Sequence, residues 1–173
     1  MDIKIPYTPR KHQRLLHQQI DKHRWSVLVC HRRFGKTVCM INHLIKSALM
    51  SKQKNPRFAY LAPTFKQAKS IAWDYMKQFT DKIPNTKFNE TELRVDLPNG
   101  ARITLLGSDS PDGLRGIYLD GCVIDEYANV NSRLFPEIIR PALSDRKGYC
   151  VFIGTPAGMN NNFYELYQHA NGA

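Results

Sequence analysis

The chain has 173 residues, of which 42% are hydrophobic, a size and composition typical of one globular domain with a single core. Its 25 Lys and Arg residues outnumber the 15 Asp and Glu residues, and the formal charge of +10 favours a phosphate-rich partner, such as nucleic acid or nucleotide, over a merely solvated basic surface. No apolar run approaches the roughly 18 to 20 residues of a membrane span, and the N-terminus lacks the apolar core of a signal peptide, so we expect a cytoplasmic protein without a membrane partner.

The predicted elements alternate between helices and strands through the first half of the chain. Thr8 has the side chain of an N-cap, Pro9 suits the first helical position, and we expect Leu15, Leu16 and Ile20 to share the apolar face of the helix. In chain order we predict a helix ending near His23, a strand at 25–30, a helix at 36–50, a strand at 57–62 and a helix at 65–79. Strands followed by helices are typical of a parallel sheet.

A turn signal interrupts this alternation in the second half. Asn99 and Gly100 separate two extended runs, residues 93–97 and 101–106, which predicts an antiparallel hairpin. After a loop at 107–116 we predict a strand at 121–125, a helix of about ten residues around Phe135, a strand at 149–153 and a helix beginning near Asn162. The expected fold class is α/β, with a mostly parallel sheet sandwiched by helices and a β-hairpin insertion, in one domain.

The segment from Cys30 to Thr37 has the pattern of a phosphate-binding loop. It fits G-x-x-x-x-G-K-[ST] at every position except the first, where Cys30 replaces glycine. Gly35 lets the backbone approach phosphate oxygens, and the N–H groups at the start of the following helix point at the anion. Lys36 is expected to contact the β- and γ-phosphates of ATP, and the Thr37 hydroxyl is expected to bind Mg²⁺.

The basic residues of this loop favour the same interpretation. The alternative is a helix start that is basic without any ligand, but Arg32, Arg33 and Lys36 would then oppose the helix dipole unless an anion were bound. We therefore expect the loop residues Arg32, Arg33 and Phe34 to belong to the nucleotide site together with Gly35.

Two carboxylates follow the apolar run Val123-Ile124, at the end of a predicted strand where open α/β sheets bind ligands. Asp125 is expected to hold Mg²⁺ directly or through water. Glu126, which should point the other way because strand side chains alternate, is the candidate general base that activates the attacking water. The alternative is an Asp-Glu pair that caps the next helix. The loop upstream favours the catalytic interpretation, because phosphoryl transfer needs both parts.

With these residues the chain resembles the ATPase domain of the large terminase subunits that package DNA in tailed bacteriophages. Members of that family replace the first glycine of the phosphate loop and have an arginine within it, which matches Cys30 and Arg32. The other matches follow in the family's order along nearly the whole chain: the region around Gln13, residues 62–68, residues 113–116, residues 123–126 and residues 154–158.

The resemblance implies roles for four further residues. Gln13 would read adenine, for which an amide has both the donor and the acceptor; the alternative is a solvated helix glutamine. Arg115 would act as an arginine finger in a neighbouring subunit, unless it only forms an ion pair with an aspartate of its own loop, at position 109, 112 or 120. Arg32 could serve as the catalytic arginine in cis. Thr155 would couple γ-phosphate loss to movement, although a simple strand-ending turn also explains Gly-Thr-Pro.

The resemblance also implies an activity and partners. The fold would be that of a P-loop NTPase of the ASCE or RecA-like class, with ATP and Mg²⁺ bound between a Walker A loop and a Walker B strand. Hydrolysis would drive double-stranded DNA into a procapsid, from a homo-oligomeric ring on the portal protein that also meets the small terminase subunit, in the cytoplasm of the infected bacterial host. No nuclease activity is expected, because the chain has no clustered acidic metal ligands of a nuclease domain. A helicase-like ATPase and a non-hydrolysing nucleotide-dependent DNA-binding module are the alternatives.

Overall fold

The structure is a computed structural model that describes residues 4–29, 35–109 and 111–154. Within these ranges the chain alternates between helices and strands. The strands are β1 (Trp25–Val29), β2 (Arg57–Ala62), β3 (Lys87–Asn89), β4 (Arg94–Asp96), β5 (Arg102–Gly107), β6 (Gly121–Ile124) and β7 (Tyr149–Gly154). The α-helices are α1 (Lys11–Lys22), α2 (Lys36–Met50), α3 (Phe65–Ala68), α4 (Asp74–Thr80) and α5 (Arg140–Ser144). Lys69–Trp73 and Phe135–Ile139 form π-helical turns, and Pro111–Leu114 and Tyr127–Asn129 form 3₁₀ turns.

The described strands form one seven-stranded sheet in the order β1-β7-β6-β2-β5-β4-β3. The first five strands of this order run parallel to one another, whereas β4 is antiparallel to β5 and β3 is antiparallel to β4. The carboxyl ends of the parallel strands therefore meet at one edge of the sheet, which is where α/β folds bind ligands.

Apolar layers cover both faces of the sheet, so its central strands read as nearly continuous hydrophobic runs. In β2 the side chains of Phe58, Tyr60 and Ala62 pack on the face covered by α1, α2 and the helical stretch 65–80, while Ala59 and Leu61 pack on the face covered by residues 130–143. Because β6 lies next to β2 and shares this alternation, Val123 belongs to the first face and Ile124 to the second.

Most element predictions are confirmed. The helix α2 and the strand β2 have the predicted bounds, and the predicted ten-residue helix around Phe135 is the stretch Phe135–Ser144, whose first half is π-helical. The predicted helix at 65–79 ends one residue later, at Thr80, and contains the π-helical turn Lys69–Trp73. The predicted helix near Asn162 lies outside the described residues.

One prediction was wrong in detail. Thr8 does not cap α1, because Arg10 has an extended backbone with ψ of 166° and the helix begins at Lys11. The predicted antiparallel hairpin is confirmed as β4 and β5, and because β5 also pairs in parallel with β2, the hairpin extends the sheet. The three-residue strand β3 was not predicted, since its pattern is too short for a periodicity to show.

Among the described residues, no helix is both long enough and apolar enough to cross a membrane.

Candidate nucleotide site

At the start of α2 the backbone has the conformation expected at the end of a phosphate-binding loop. Gly35 is left-handed, with φ of 76°, and a Cβ there would lie 2.7 Å from Arg10 Nη2 and 3.0 Å from Gln13 Nε2, so both the conformation and the space favour glycine. The Cys39 N–H donates to the Gly35 carbonyl at 3.1 Å. The N–H groups of Lys36 and Thr37 lie in the first turn of the helix. Donors in a first turn have no acceptor within the helix and normally bind groups outside it.

Two carboxylates converge on the side chain that opens this helix. The Lys36 Nζ atom lies 3.4 Å from Asp125 Oδ1 and 3.3 Å from Glu126 Oε1. The Asp125 side chain is 2% exposed, the Lys36 side chain 13% and the Glu126 side chain 32%. A largely covered ammonium thus lies beside a buried carboxylate, and Glu126 is the most exposed member of the group.

The backbone at the end of β6 brings these carboxylates together. The strand ends at Ile124, Asp125 N–H donates to the Leu61 carbonyl at 2.8 Å, and Glu126 is left-handed with φ of 50°. The expectation that Glu126 points away from Asp125 was wrong, because the alternation of a strand stops where the strand does. Nor does Glu126 act as a helix cap: it precedes the turn Tyr127–Asn129, and its side chain makes no capping hydrogen bond.

Tyr60 joins the site from the neighbouring strand β2. Its buried hydroxyl donates to Asp125 Oδ2. Burial, followed by the negative charge of Asp125, raises the pKa of Tyr60 well above its ordinary value, so the phenol stays protonated. Sequence analysis missed this residue. The available signal was a tyrosine at the centre of a buried, otherwise apolar strand, where a hydroxyl needs a partner.

Gln13 lies against the phosphate loop but is not the solvated glutamine that one alternative proposed. It is 5% exposed, its Oε1 accepts from the Arg10 N–H at 2.9 Å, and its Nε2 donates to the Gly35 carbonyl at 3.2 Å. The side chain therefore fixes the start of α1 against the end of the loop, which places it beside the phosphate site.

Arg115 lies outside this group of side chains. It forms an ion pair with Glu137 at 3.5 Å, a partner that the sequence did not suggest, and its side chain is 50% exposed. Two of the aspartates considered as its partners make other contacts. Asp109 accepts a hydrogen bond from the Phe65 N–H, and Asp120 forms an ion pair with Arg146, which precedes β7. Arg32, Arg33, Phe34 and Thr155 lie outside the described residues.

The electrostatics of the site favour an anion. The first turn of α2 contains no acidic residue, and its N-terminus carries the positive end of the helix dipole as well as Lys36 and the nearby Arg10 guanidinium. Asp125 and Glu126 offset only part of this positive charge. A phosphate group placed at Gly35 would meet backbone donors and cations together.

Comparisons with known proteins agree with this geometry. A family model described as "Terminase large subunit, T4likevirus-type, N-terminal" matches residues 29–171. The large terminase subunits of Thermus phage G20c and Thermus virus P23-45 are each 30% identical over 126 residues, which covers 62% of this chain and 26% of theirs. The chain thus spans about a quarter of the length of these curated relatives.

Solved structures share the fold. A mutant ATPase domain of the large terminase of Thermus phage P74-26 superposes with a TM-score of 0.76 at 25% identity, over 94% of this chain and 71% of that one. The large terminase of another thermophilic bacteriophage, in complex with ADP, superposes with a TM-score of 0.69 at 14% identity, over 91% of this chain and 49% of that one. The mostly parallel sheet is therefore that of a P-loop NTPase, as expected.

Proposed function

This chain belongs to the terminase large subunit family, and we propose that it is an ATP-hydrolysing motor domain that translocates double-stranded DNA into a viral procapsid. The observation that carries the proposal is the convergence of Lys36, Asp125 and Glu126 at the start of α2, with the Lys36 ammonium 3.4 and 3.3 Å from the two carboxylates. Phosphoryl transfer needs a cation for the phosphates, a carboxylate for the metal and a base for the attacking water. This group has one side chain for each task.

Lys36 would exchange partners when ATP binds. In the structure its ammonium is neutralised by Asp125 and Glu126. The β- and γ-phosphates carry more negative charge than these two carboxylates, and at Gly35 they would also accept from backbone N–H groups of the helix start. Lys36 would therefore turn toward the phosphates, which frees Asp125 for a metal ion and Glu126 for water.

The donor set suits Mg²⁺. Thr37 has a hydroxyl and Asp125 a buried carboxylate, the hard oxygen ligands that this ion prefers together with phosphate oxygens and water. When bound, Mg²⁺ supplies positive charge that offsets the charge developing on the phosphate oxygens. The ADP complex of a homologous terminase supports nucleotide binding at this fold.

Glu126 would be the general base. Its carboxylate is the most exposed of the group and is held beside Lys36, within reach of a water near the γ-phosphate. Glu126 would accept a proton from this water as the water oxygen forms a bond to the γ-phosphorus. The bond from that phosphorus to the β,γ-bridging oxygen breaks, and ADP leaves with the electron pair.

The catalytic arginine would come from one of two places. Arg32, within the phosphate loop, could act in cis, and Arg115 could act in trans on the nucleotide of a neighbouring subunit. Support for the second comes from exposure: half of the Arg115 side chain is accessible, and its pair with Glu137 is a surface contact that a charged phosphate can replace. Thr155 would couple hydrolysis to movement, and Gln13 would help to recognise adenine.

The proposed partners follow from the family and from the charge. A formal charge of +10 favours binding to the DNA backbone through counterion release. We propose that the domain works as part of a homo-oligomeric ring on the portal protein, with the small terminase subunit, in the cytoplasm of the bacterial host.

ATP turnover by Glu126→Gln tests the hydrolytic role. We expect turnover to fall by at least about 100-fold, because the amide keeps the shape but cannot accept the proton. Binding of a fluorescent ATP analogue should remain, since Lys36 and the loop are intact. A matched control is Glu92→Gln, which removes a carboxylate from the connection between β3 and β4, the two strands farthest from β1 in the sheet order.

Equal turnover by Glu126→Gln and wild type would reject the base and favour a non-hydrolysing nucleotide-dependent module. Loss of turnover in Glu92→Gln as well would indicate a general effect of lost charge.

A further inference from the structure

Tyr60 occupies a central position relative to the nucleotide site. It lies in the middle of β2, between β6 and β5, opposite Val123 in the parallel register. Its side chain packs on the face that α2 covers and is completely buried. From there the hydroxyl donates to Asp125 Oδ2, directly after the end of β6.

The two oxygens of the Asp125 carboxylate have different partners. Oδ1 accepts a hydrogen bond from the Glu126 N–H at 2.8 Å and lies 3.4 Å from the Lys36 ammonium. Oδ2 accepts from the Tyr60 hydroxyl. Tyr60 therefore holds the side of the carboxylate that faces away from Lys36.

This division has a consequence for metal binding. A carboxylate that is held at both oxygens has a fixed rotation about its Cβ–Cγ bond. When phosphates draw Lys36 away from Oδ1, the hydrogen bond from Tyr60 to Oδ2 would keep the carboxylate in its orientation. Asp125 would then meet a metal ion in a defined position.

We propose that Tyr60 is a positioning residue that orients Asp125 as a Mg²⁺ ligand; this inference rests on the proposed nucleotide function. Tyr60 does not itself touch the metal or the nucleotide. It links β2 to the end of β6, so that a metal arriving with nucleotide meets a carboxylate already turned toward it. Groups that orient metal ligands in this way commonly change metal affinity by about 10- to 100-fold when removed.

Tyr149 offers a matched control. It is a second tyrosine on the same face of the sheet, and its hydroxyl donates to Ser47 Oγ at 2.9 Å, further along α2. Phenylalanine at either position removes one hydroxyl and one hydrogen bond from beneath the same helix. Of these two hydroxyls, the one at position 60 contacts a proposed metal ligand, Asp125.

The test measures the Mg²⁺ concentration that half-saturates binding of a fluorescent ATP analogue, for wild type, Tyr60→Phe and Tyr149→Phe. We expect this midpoint to rise at least about tenfold in Tyr60→Phe and to stay at the wild-type value in Tyr149→Phe. Affinity for the analogue in EDTA should match wild type in both variants, because Gly35 and Lys36 are unchanged. An unchanged midpoint in folded Tyr60→Phe would overturn the inference, as would an equal rise in Tyr149→Phe.

A second variant keeps the test decisive if Tyr60→Phe does not fold. Replacing Tyr60 alone by 3-fluorotyrosine keeps the shape and the hydroxyl but makes the phenol a stronger donor and a weaker acceptor. Asp125 would then be a weaker ligand, and the Mg²⁺ midpoint should rise; no change would count against the positioning role. The proposed function fails separately, if the wild-type protein binds no nucleotide at any Mg²⁺ concentration.

Discussion

Two polar clusters pack against α2, and their polar groups are satisfied in different ways. The charged cluster, at the start of the helix, consists of Lys36, Asp125 and Glu126. The histidine cluster, in the middle of the helix, consists of Tyr7, His17, Asp21 and His43. In the charged cluster one ammonium is paired with two carboxylates. In the histidine cluster the rings are neutral.

Two hydrogen bonds and one longer contact link the residues of the histidine cluster. Tyr7 O–H lies 2.9 Å from His17 Nε2, the Nδ1 atoms of His17 and His43 are 2.8 Å apart, and His43 Nε2 lies 3.6 Å from Asp21 Oδ1. Two nitrogens at this distance share one proton, so one ring donates and the other accepts. Burial, followed by the proximity of His17, lowers the pKa of His43 to about 4, and burial also lowers the pKa of His17.

The difference shows where a ligand can enter. Donors and acceptors of the histidine cluster are matched within the protein, so an added ion would disrupt it. The charged cluster lies at a helix start and contains an ammonium that phosphates can compete for. The buried polar groups of the histidine cluster therefore stabilise the fold, whereas those of the charged cluster form a binding site.

Loss of Lys36 should give the largest effect. Lys36→Ala removes the cation that would contact the phosphates, and we expect ATP turnover to fall by at least about 100-fold. His43→Gln, which lies on the same helix, should lower the melting temperature without changing turnover per folded molecule. Comparable turnover losses in both variants would mean that the two clusters do not differ as proposed.

The Lys36→Ala protein also tests the trans role of Arg115. Mixed with Arg115→Ala at concentrations that allow assembly, it should recover part of the hydrolysis, because an intact arginine from one subunit meets an intact loop in the other. Absence of recovery would favour Arg32 as the catalytic arginine.

The second largest effect should come from low pH, which should destabilise the histidine cluster. The pKa of His43 is about 4 in the folded protein, below its ordinary 6.5, so the folded state favours the neutral ring. The stability that this contributes is complete above pH 6.5 and is lost as the pH falls toward 4. We expect a decrease of up to about 3 kcal/mol in the free energy of unfolding, measured with urea at several pH values. In His43→Gln the decrease between pH 7 and pH 5 should be smaller; an identical decrease would assign it to other groups.

Gly35→Ala should have the smallest effect on stability. Its effect on function should be limited to nucleotide binding at the charged cluster. The left-handed backbone at φ of 76° costs an alanine about 1 kcal/mol, and the new Cβ would press on Arg10 and Gln13. Gly100→Ala, with φ of 87° in the turn between β4 and β5, is the control. Both should lower the melting temperature, whereas only Gly35→Ala should weaken binding of the fluorescent ATP analogue. Equal affinities would remove Gly35 from the proposed site.

Local patterns predicted one part of this structure and not the other. The apolar run of β2 and the periodicity of α2 fixed those elements to the residue, and the Gly-Lys-Thr and Asp-Glu motifs predicted which side chains meet at the start of α2. Tyr60 could not be predicted in the same way, since its contact with Asp125 depends on β2 lying beside β6. The pairing of His17 with His43 likewise depends on how α1 crosses α2. The left-handed backbone of Glu126 depends on where β6 ends.

The position of β1 has a consequence for how the protein folds. Among the described strands, β1 pairs with β7 alone, joining residues 25–29 to residues 150–154, so the strand that leads into the phosphate loop is held by a partner more than 100 residues away. Contacts of such sequence separation form late and slowly. During synthesis the sheet from β2 to β6 can pair before β7 leaves the ribosome, but the loop cannot be aligned with Asp125 until it does. The motor site would thus be the last part of this sheet to assemble, which delays nucleotide binding until the described strands are complete.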